Sequence, residues 1–245
     1  MPEGPSILIL KEKAQKFIGR KIISASGNAK LEMDRLPGLI FKEYRIFGKQ
    51  SYLVVSPYTI RIHLLMFGSY SVDENIKPER QLRLHLRFEN GDLYFYSCSI
   101  KLLDIEVLKE IDWEADVLSD DWKPLKARKK LKAQPETMVC DALLDQNIFS
   151  GVGNIIKNEV LFRIGVHPES LVGKLPPKKL SALVSEARNY SFDFLRWKKE
   201  YVLKKNWLVH TKTICPKCGL PLTKNHLGIT KRRSFYCEKD QKLYV

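Results

Sequence analysis

The stretch QLRLHLRFENGDLYFYS, residues 81–97, constrains the chain more than any other. Leu82, Leu84, Leu86 and Phe88 alternate with polar residues, the period of a strand that has one face in a core and one in water. Asn90-Gly91 tolerates the positive φ of a tight turn, and LYFYS then returns as a second strand. RKIISAS, QSYLVVS and YTIRIHLL are further strand candidates, so residues 20 to about 100 are expected to build an antiparallel sandwich or barrel of short strands. A helix launched at Pro5-Ser6, running through Ile18 and stopping at Gly19, would pack against it.

The character changes near residue 115. ADVLSDDWKPLKARKKLKAQP is polar and charged, a connection that runs into a first helix. ETMVCDALLDQ and IIKNEVLFRIGV then carry helical spacing, with Leu143, Leu144, Ile155, Ile156, Val160 and Leu161 as core candidates. A long helix follows Pro176-Pro177, and the last forty or so residues turn β-like around CPKC and YCEKD. The expected division is 1–115, 116–205 and 206–245.

Charge narrows the partner. The chain has 42 Lys+Arg against 28 Asp+Glu, a net charge of +14. An excess of that size implies a polyanion, with nucleic acid the default and a membrane surface the rival. No apolar run is long enough to span a bilayer, and the start lacks a basic-then-apolar signal pattern. The expectation is a soluble, intracellular protein of cytoplasm or nucleoid, a monomer with no membrane partner.

Two motifs carry chemistry at sight. SGVGNI joins two helices; Gly151 and Gly153 allow tight backbone geometry, and Asn154 begins the second helix, whose free N–H groups suit a phosphate. An ordinary inter-helix turn is the plainer reading. Cys215-Pro-Lys-Cys218, with Cys237 after eighteen intervening residues, has the spacing of a zinc ribbon. Its fourth ligand is expected three positions beyond Cys237, where Asp240 stands. A carboxylate is a permitted zinc ligand, His226 is a substitute inside the inter-strand loop, and a metal-free ribbon packed around Phe235 and Tyr236 is the third option. Between the cysteines, KRRSFY sets Lys231, Arg232 and Arg233 on the ribbon hairpin, where an arginine can fork onto a phosphate.

MPEGP at the start, ALLDQNIFSGVGNIIKNEVLF in the middle and RRSFYCEKDQ at the end occur together in this order in one family. The chain resembles the formamidopyrimidine-DNA glycosylase/endonuclease VIII family over nearly its whole length. The resemblance implies an α+β, multi-domain fold: an N-terminal antiparallel β-sandwich with a helix, a helix–two-turn–helix domain, and a C-terminal zinc-ribbon-type β-hairpin. It also implies damaged DNA as partner and one structural Zn2+ held by Cys215, Cys218, Cys237 and Asp240.

In such enzymes the initiator Met is removed, so Pro2 becomes the terminal amine that attacks C1′ of a damaged nucleotide. An α-amino group titrates near ~8 and a lysine near ~10, so more of the terminal amine is unprotonated at neutral pH. Glu3 would act as general acid on the sugar ring oxygen. Lys49, in FGKQSYLVV, would bind phosphate or assist proton transfer beside the lesion. Asn154 and Arg232 would grip flanking phosphates; Arg232 stands five residues before Cys237, the family's arginine position. Pro2, Glu3, Lys49 and Arg232 form the expected catalytic set. Base excision from a duplex needs a flipped nucleotide and a filled gap. Met66 in HLLMFGSY would be the wedge, assisted by Leu65 or Phe67, unless it is simply core.

Two departures from the family pattern matter. Ser6 stands where relatives often carry a glutamate, and the segment Tyr201–Cys215 leaves little room for a base-capping loop. Ser6 removes any lesion contact from that carboxylate, and the short segment favours the endonuclease VIII branch and oxidised pyrimidines. The implied activity is a bifunctional glycosylase/AP lyase acting by β,δ-elimination. The alternatives are a catalytically silent binder of damaged or branched DNA and an RNA-binding ribbon protein, neither of which needs the Pro2-Glu3 pair.

Overall fold

The computed structural model describes residues 2–245, and the chain divides into two compact units, Met1–Ile111 and Asp112–Val245. The helical segment and the C-terminal hairpin therefore lie in one unit. Contacts between them, set out below, account for that.

The first unit begins with helix α1, Gly4–Ala14, prolonged by a 3-10 turn over Gln15–Phe17. Pro5 suits its first turn, where a missing N–H leaves nothing unpaired. Ile7, Leu10, Ala14 and Phe17 are buried, one stripe of the helical period. Eight strands follow: β1 Ser24–Ser26, β2 Glu43–Phe47, β3 Gln50–Val55, β4 Tyr58–His63, β5 Ser69–Val72, β6 Leu82–Phe88, β7 Gly91–Tyr96 and β8 Ser99–Asp104. They form two antiparallel four-stranded sheets, ordered β1-β6-β7-β5 and β2-β3-β4-β8. Leu84, Leu86, Phe88, Leu93 and Phe95 of one sheet share a core with Leu53, Val55, Ile60 and Ile62 of the other. Each such side chain contributes about 1.5–3 kcal/mol by burial. Truncating Leu86, which has no exposed surface, to alanine costs about 2–5 kcal/mol.

The β6–β7 hairpin turns at Glu89-Asn90, one residue earlier than the Asn-Gly pattern suggests, and Gly91 opens β7 at φ 136°. A Cβ at Gly91 would overlap the Asp73 carboxylate, so glycine is required both for its φ and for this approach. Three strands were not legible: β2, β5 and β8. The regular part of RKIISAS shrinks to β1.

The second unit holds α2 Pro124–Lys132, α3 Val139–Ala142, α4 Asn154–Ile164, α5 Pro177–Lys199 and the hairpin β9 Thr223–Leu227 with β10 Arg232–Tyr236. In α5, Leu180, Leu183, Val184, Ala187, Tyr190, Ser191 and Phe194 are buried at helical spacing. α2 falls inside the charged stretch before Pro135. ETMVCDALLDQ is helical only over α3, because side chains divert the backbone beyond it. Asp145 Oδ1 accepts from Asn147 N at 2.9 Å, and Gln146 Nε2 donates to the carbonyls of Leu144 at 2.8 Å and Val152 at 3.1 Å. Gln146 Oε1 accepts from Gly151 N at 3.1 Å, so one amide side chain organises the whole turn.

Candidate functional site

In the first unit, Pro2 is half-buried and Glu3 is the N-cap residue of α1, its backbone carbonyl accepting from Ser6 N at 2.8 Å. The Glu3 side chain has no exposed surface. A buried carboxylate at the positive end of a helix needs its charge met by nearby donors and dipoles, the setting of a functional acid more than of a surface one. Ser6 is buried in the next turn of the same helix.

Lys49 forms the β2–β3 turn with Gly48, which has φ 56°, and is half-buried. Gln50 pairs with His63 across β3 and β4, so this turn and the one leaving β4 lie at the same end of the sheet. His63 Nδ1 accepts from Leu65 N at 2.9 Å. Burial, then the charges of Lys49 and Arg61, hold the His63 imidazole below its usual pKa, in keeping with a neutral acceptor. Beyond His63 the chain turns sharply. Leu65 takes φ 55°, Gly68 N donates to Leu64 O at 2.8 Å, and Leu65, Met66 and Phe67 stand 49%, 48% and 80% exposed. Met66 is thus not core: three consecutive apolar side chains project from a constrained turn.

The second unit gathers the remaining candidates. Cys215, Cys218, Cys237 and Asp240 place one ligand atom each within 4.8 Å of one another. Asp240 Oδ2 lies 3.0 Å from Cys215 Sγ and 3.3 Å from Cys237 Sγ, and Cys218 Sγ lies 3.5 Å from Cys237 Sγ. Tetrahedral zinc with bonds of about 2.3 Å to sulfur requires ligands about 3.8 Å apart, so three soft thiolates and one carboxylate oxygen fit that ion in chemistry and spacing. Backbone turns hold both ligand pairs. Gly219 N donates to Cys215 O at 3.0 Å, and Gln241 N donates to Cys237 O at 3.1 Å. His226 lies on β9, exposed and paired with Arg233, outside the cluster.

Asn154 opens α4, and its Nδ2 donates to the Arg233 carbonyl at 2.9 Å, while its Oδ1 is buried with no hydrogen-bond partner among the described residues. Arg232, the first residue of β10, is exposed. The sequence pattern did not reveal what joins these elements. Lys157, Asn158 and Glu159, in the middle of α4, are all buried, at 1%, 2% and 0% exposed. Lys157 Nζ donates to Ser234 Oγ at 2.8 Å and to Arg233 O at 3.4 Å, and Asn158 Nδ2 also donates to Arg233 O at 3.4 Å. Asn158 Oδ1 accepts from Phe235 N at 3.3 Å. Glu159 accepts three backbone N–H bonds, from Leu208, Val209 and His210 at 2.8, 2.9 and 2.7 Å. α4 therefore pins both the entry to the ribbon and β10. The signal was present as KNE, three polar residues interrupting an apolar helical run.

His210 is held the same way. Its Nδ1 faces Asn158 Nδ2 at 3.1 Å, and its ring stands edge-on to Trp207 and Phe235. Burial, reinforced by the charges of Lys157 and Arg233, pushes its pKa down to about 4.

Comparison with known proteins places this arrangement. Residues 114–191 match the formamidopyrimidine-DNA glycosylase H2TH domain. The chain is 30% identical over 232 residues to endonuclease 8-like 3 of Xenopus laevis, covering 90% of this chain and 38% of that one. It is 38% identical over 164 residues to endonuclease 8-like 2 of Mus musculus, covering 65% of this chain and 47% of that one. The chain belongs to the formamidopyrimidine-DNA glycosylase/endonuclease VIII family. It spans less than half the length of these two relatives. The fold match extends over nearly the whole chain. A viral DNA glycosylase matches at a TM-score of 0.84 and 22% identity, covering 98% of this chain and 100% of that one. A Lactococcus lactis formamidopyrimidine-DNA glycosylase bound to DNA with an AP site matches at 0.84 and 21% identity, covering 98% of this chain and 99% of that one.

Proposed function

We propose that this chain is a bifunctional DNA glycosylase and AP lyase of base-excision repair, which removes oxidised bases, pyrimidines by preference, and cleaves the strand by β,δ-elimination. The observation that carries the reading is the Pro2-Glu3 pair, with a fully buried carboxylate at the start of α1 directly behind a half-buried proline. A protein that only binds DNA has no use for that pair.

In this reading Pro2, as the mature N-terminus, supplies its secondary amine to C1′ of the damaged nucleotide. A bond forms from nitrogen to C1′, the glycosidic bond breaks and the base leaves with the bonding electrons. The Glu3 carboxyl protonates the sugar ring oxygen, which opens the ring and leaves a cationic iminium. The iminium acidifies the 2′ proton. Loss of that proton expels the 3′ phosphate, and a second elimination expels the 5′ phosphate. Lys49, on its turn beside His63, binds phosphate or moves a proton at these steps. The exposed Leu65-Met66-Phe67 turn fits the gap left by an extruded nucleotide, with Met66 as the wedge.

Asn154 and Arg232 are assigned to flanking phosphates, which position the duplex without selecting its sequence. Zinc, when bound by Cys215, Cys218, Cys237 and Asp240, would cross-link the base of the hairpin that carries Arg232 and take no part in the reaction. Support for the lesion class comes from the short Tyr201–Cys215 segment and from the endonuclease 8-like relatives. The test is excision from duplexes that each carry one lesion. Release of an oxidised pyrimidine with a 3′-phosphate end is expected. Preferred release of an oxidised purine would move the chain to the other branch, and tight binding with no release or nicking would establish a silent binder.

A further inference from the structure

The hairpin that presents Arg232 is held on two flanks, and only one of them is α4. On the other, the β9–β10 turn, Gly228–Lys231, lies against α3. Asp141 Oδ2 accepts from Ile229 N at 2.8 Å, and Asp141 Oδ1 accepts from Thr230 N at 3.2 Å and Thr230 Oγ1 at 3.0 Å. The carboxylate thus takes two successive backbone N–H groups and a hydroxyl of a turn that has left the body of the fold. Gly228, with φ 70°, makes the approach possible, since a Cβ there would overlap the Asp141 carboxylate. Lys231, at φ 49°, completes a turn whose backbone leaves little freedom to Arg232. Beyond Arg232 the chain is fixed again, at the Arg233 carbonyl by Asn154, Lys157 and Asn158.

We infer that Asp141 is a positioning residue for Arg232: its carboxylate anchors the hairpin turn, so that the exposed guanidinium meets a DNA phosphate without first having to be ordered. The inference rests on the assignment of Arg232 to phosphate. A long arginine on an untethered turn loses rotamer and backbone freedom when it binds, and pre-fixing its backbone removes part of that cost. Three charge-assisted hydrogen bonds are enough to hold a turn of four residues. Asp141 is assigned no contact with DNA or with the reacting atoms. Its effect should pass through Arg232 alone.

The test is a double-mutant cycle on affinity for an abasic-analogue duplex, with Asp141→Ala, Arg232→Ala and the pair, each checked for metal content and melting temperature. Arg232→Ala should weaken binding about tenfold or more and reduce the salt slope by about 0.9, one phosphate contact. Asp141→Ala should weaken binding about three- to tenfold and flatten the slope in the same direction, with base excision from bound substrate little changed. In the Arg232→Ala background, Asp141→Ala should do nothing more. Equal losses in both backgrounds, or no loss in the native one, would overturn the inference. No effect of Arg232→Ala would instead refute the phosphate assignment beneath it. Should Asp141→Ala fail to fold, Thr230→Val removes only the hydroxyl bond to Asp141. It should give a smaller loss that also vanishes without Arg232, and persistence of that loss would overturn the inference as well.

Discussion

Acid should loosen the second unit through His210. The imidazole ordinarily titrates near 6.5 and here is pushed down to about 4 by burial and by the charges of Lys157 and Arg233. A depressed histidine means that the unfolded chain binds the extra proton first. Stability is therefore full above about pH 6.5 and falls with pH until it levels off below about 4. A gap of about 2.5 pH units corresponds to about 3 kcal/mol for this one group. Glu159, which accepts the His210 N–H, acts in the opposite sense: burial raises its pKa, so its contribution declines as pH rises. A comparison that isolates the histidine is therefore needed. Urea unfolding of the native protein and of His210→Gln, followed at pH 7 and pH 4.5, provides it. Most of the fall between the two pH values should disappear in the variant, a difference of about 2–3 kcal/mol. The ring signals of His210 should titrate well below 6. A His210 pKa at or above 6.5, or an equal fall in both proteins, would refute the reasoning.

Two further outcomes follow from the sites. Glu3→Gln should leave affinity for duplex nearly unchanged while slowing base release at least a hundredfold, with a smaller loss on a preformed abasic site; single-turnover kinetics on both substrates checks this. Metal analysis should find about one zinc per chain. Asp240→Ala should lose it more readily to a chelator and Asp240→Cys should hold it more tightly, with DNA affinity following occupancy.

Much of the fold could be read in advance where a local period or spacing dictates it. The alternation of Leu82, Leu84, Leu86 and Phe88 gave β6, and the cysteine spacing led to Asp240, which lies with Cys215, Cys218 and Cys237 in a cluster that could hold a metal ion. β2 and β8 were missed because these strands do not alternate cleanly, and β8 borders its sheet with partly exposed residues. Helical spacing over ETMVCDALLDQ overstated α3, since nothing in the periodicity shows that Asp145 and Gln146 will bond to the backbone instead. Asp141 was invisible for a different reason. Its partners, Ile229 and Thr230, lie nearly ninety residues away, and only tertiary structure brings them together. Lys157, Asn158 and Glu159 left a trace, polar residues at buried helix positions, but their roles depend on hairpin atoms that no spacing rule connects to α4.

The central claim is that the amine of Pro2 does the chemistry. Borohydride reduction during turnover of an abasic-site duplex should trap a covalent protein–DNA adduct. Peptide mapping should place that adduct on Pro2 as the first residue of the mature chain, and a protein retaining Met1 should give none. An adduct on Lys49, or strand cleavage undiminished with Met1 in place, would contradict the account.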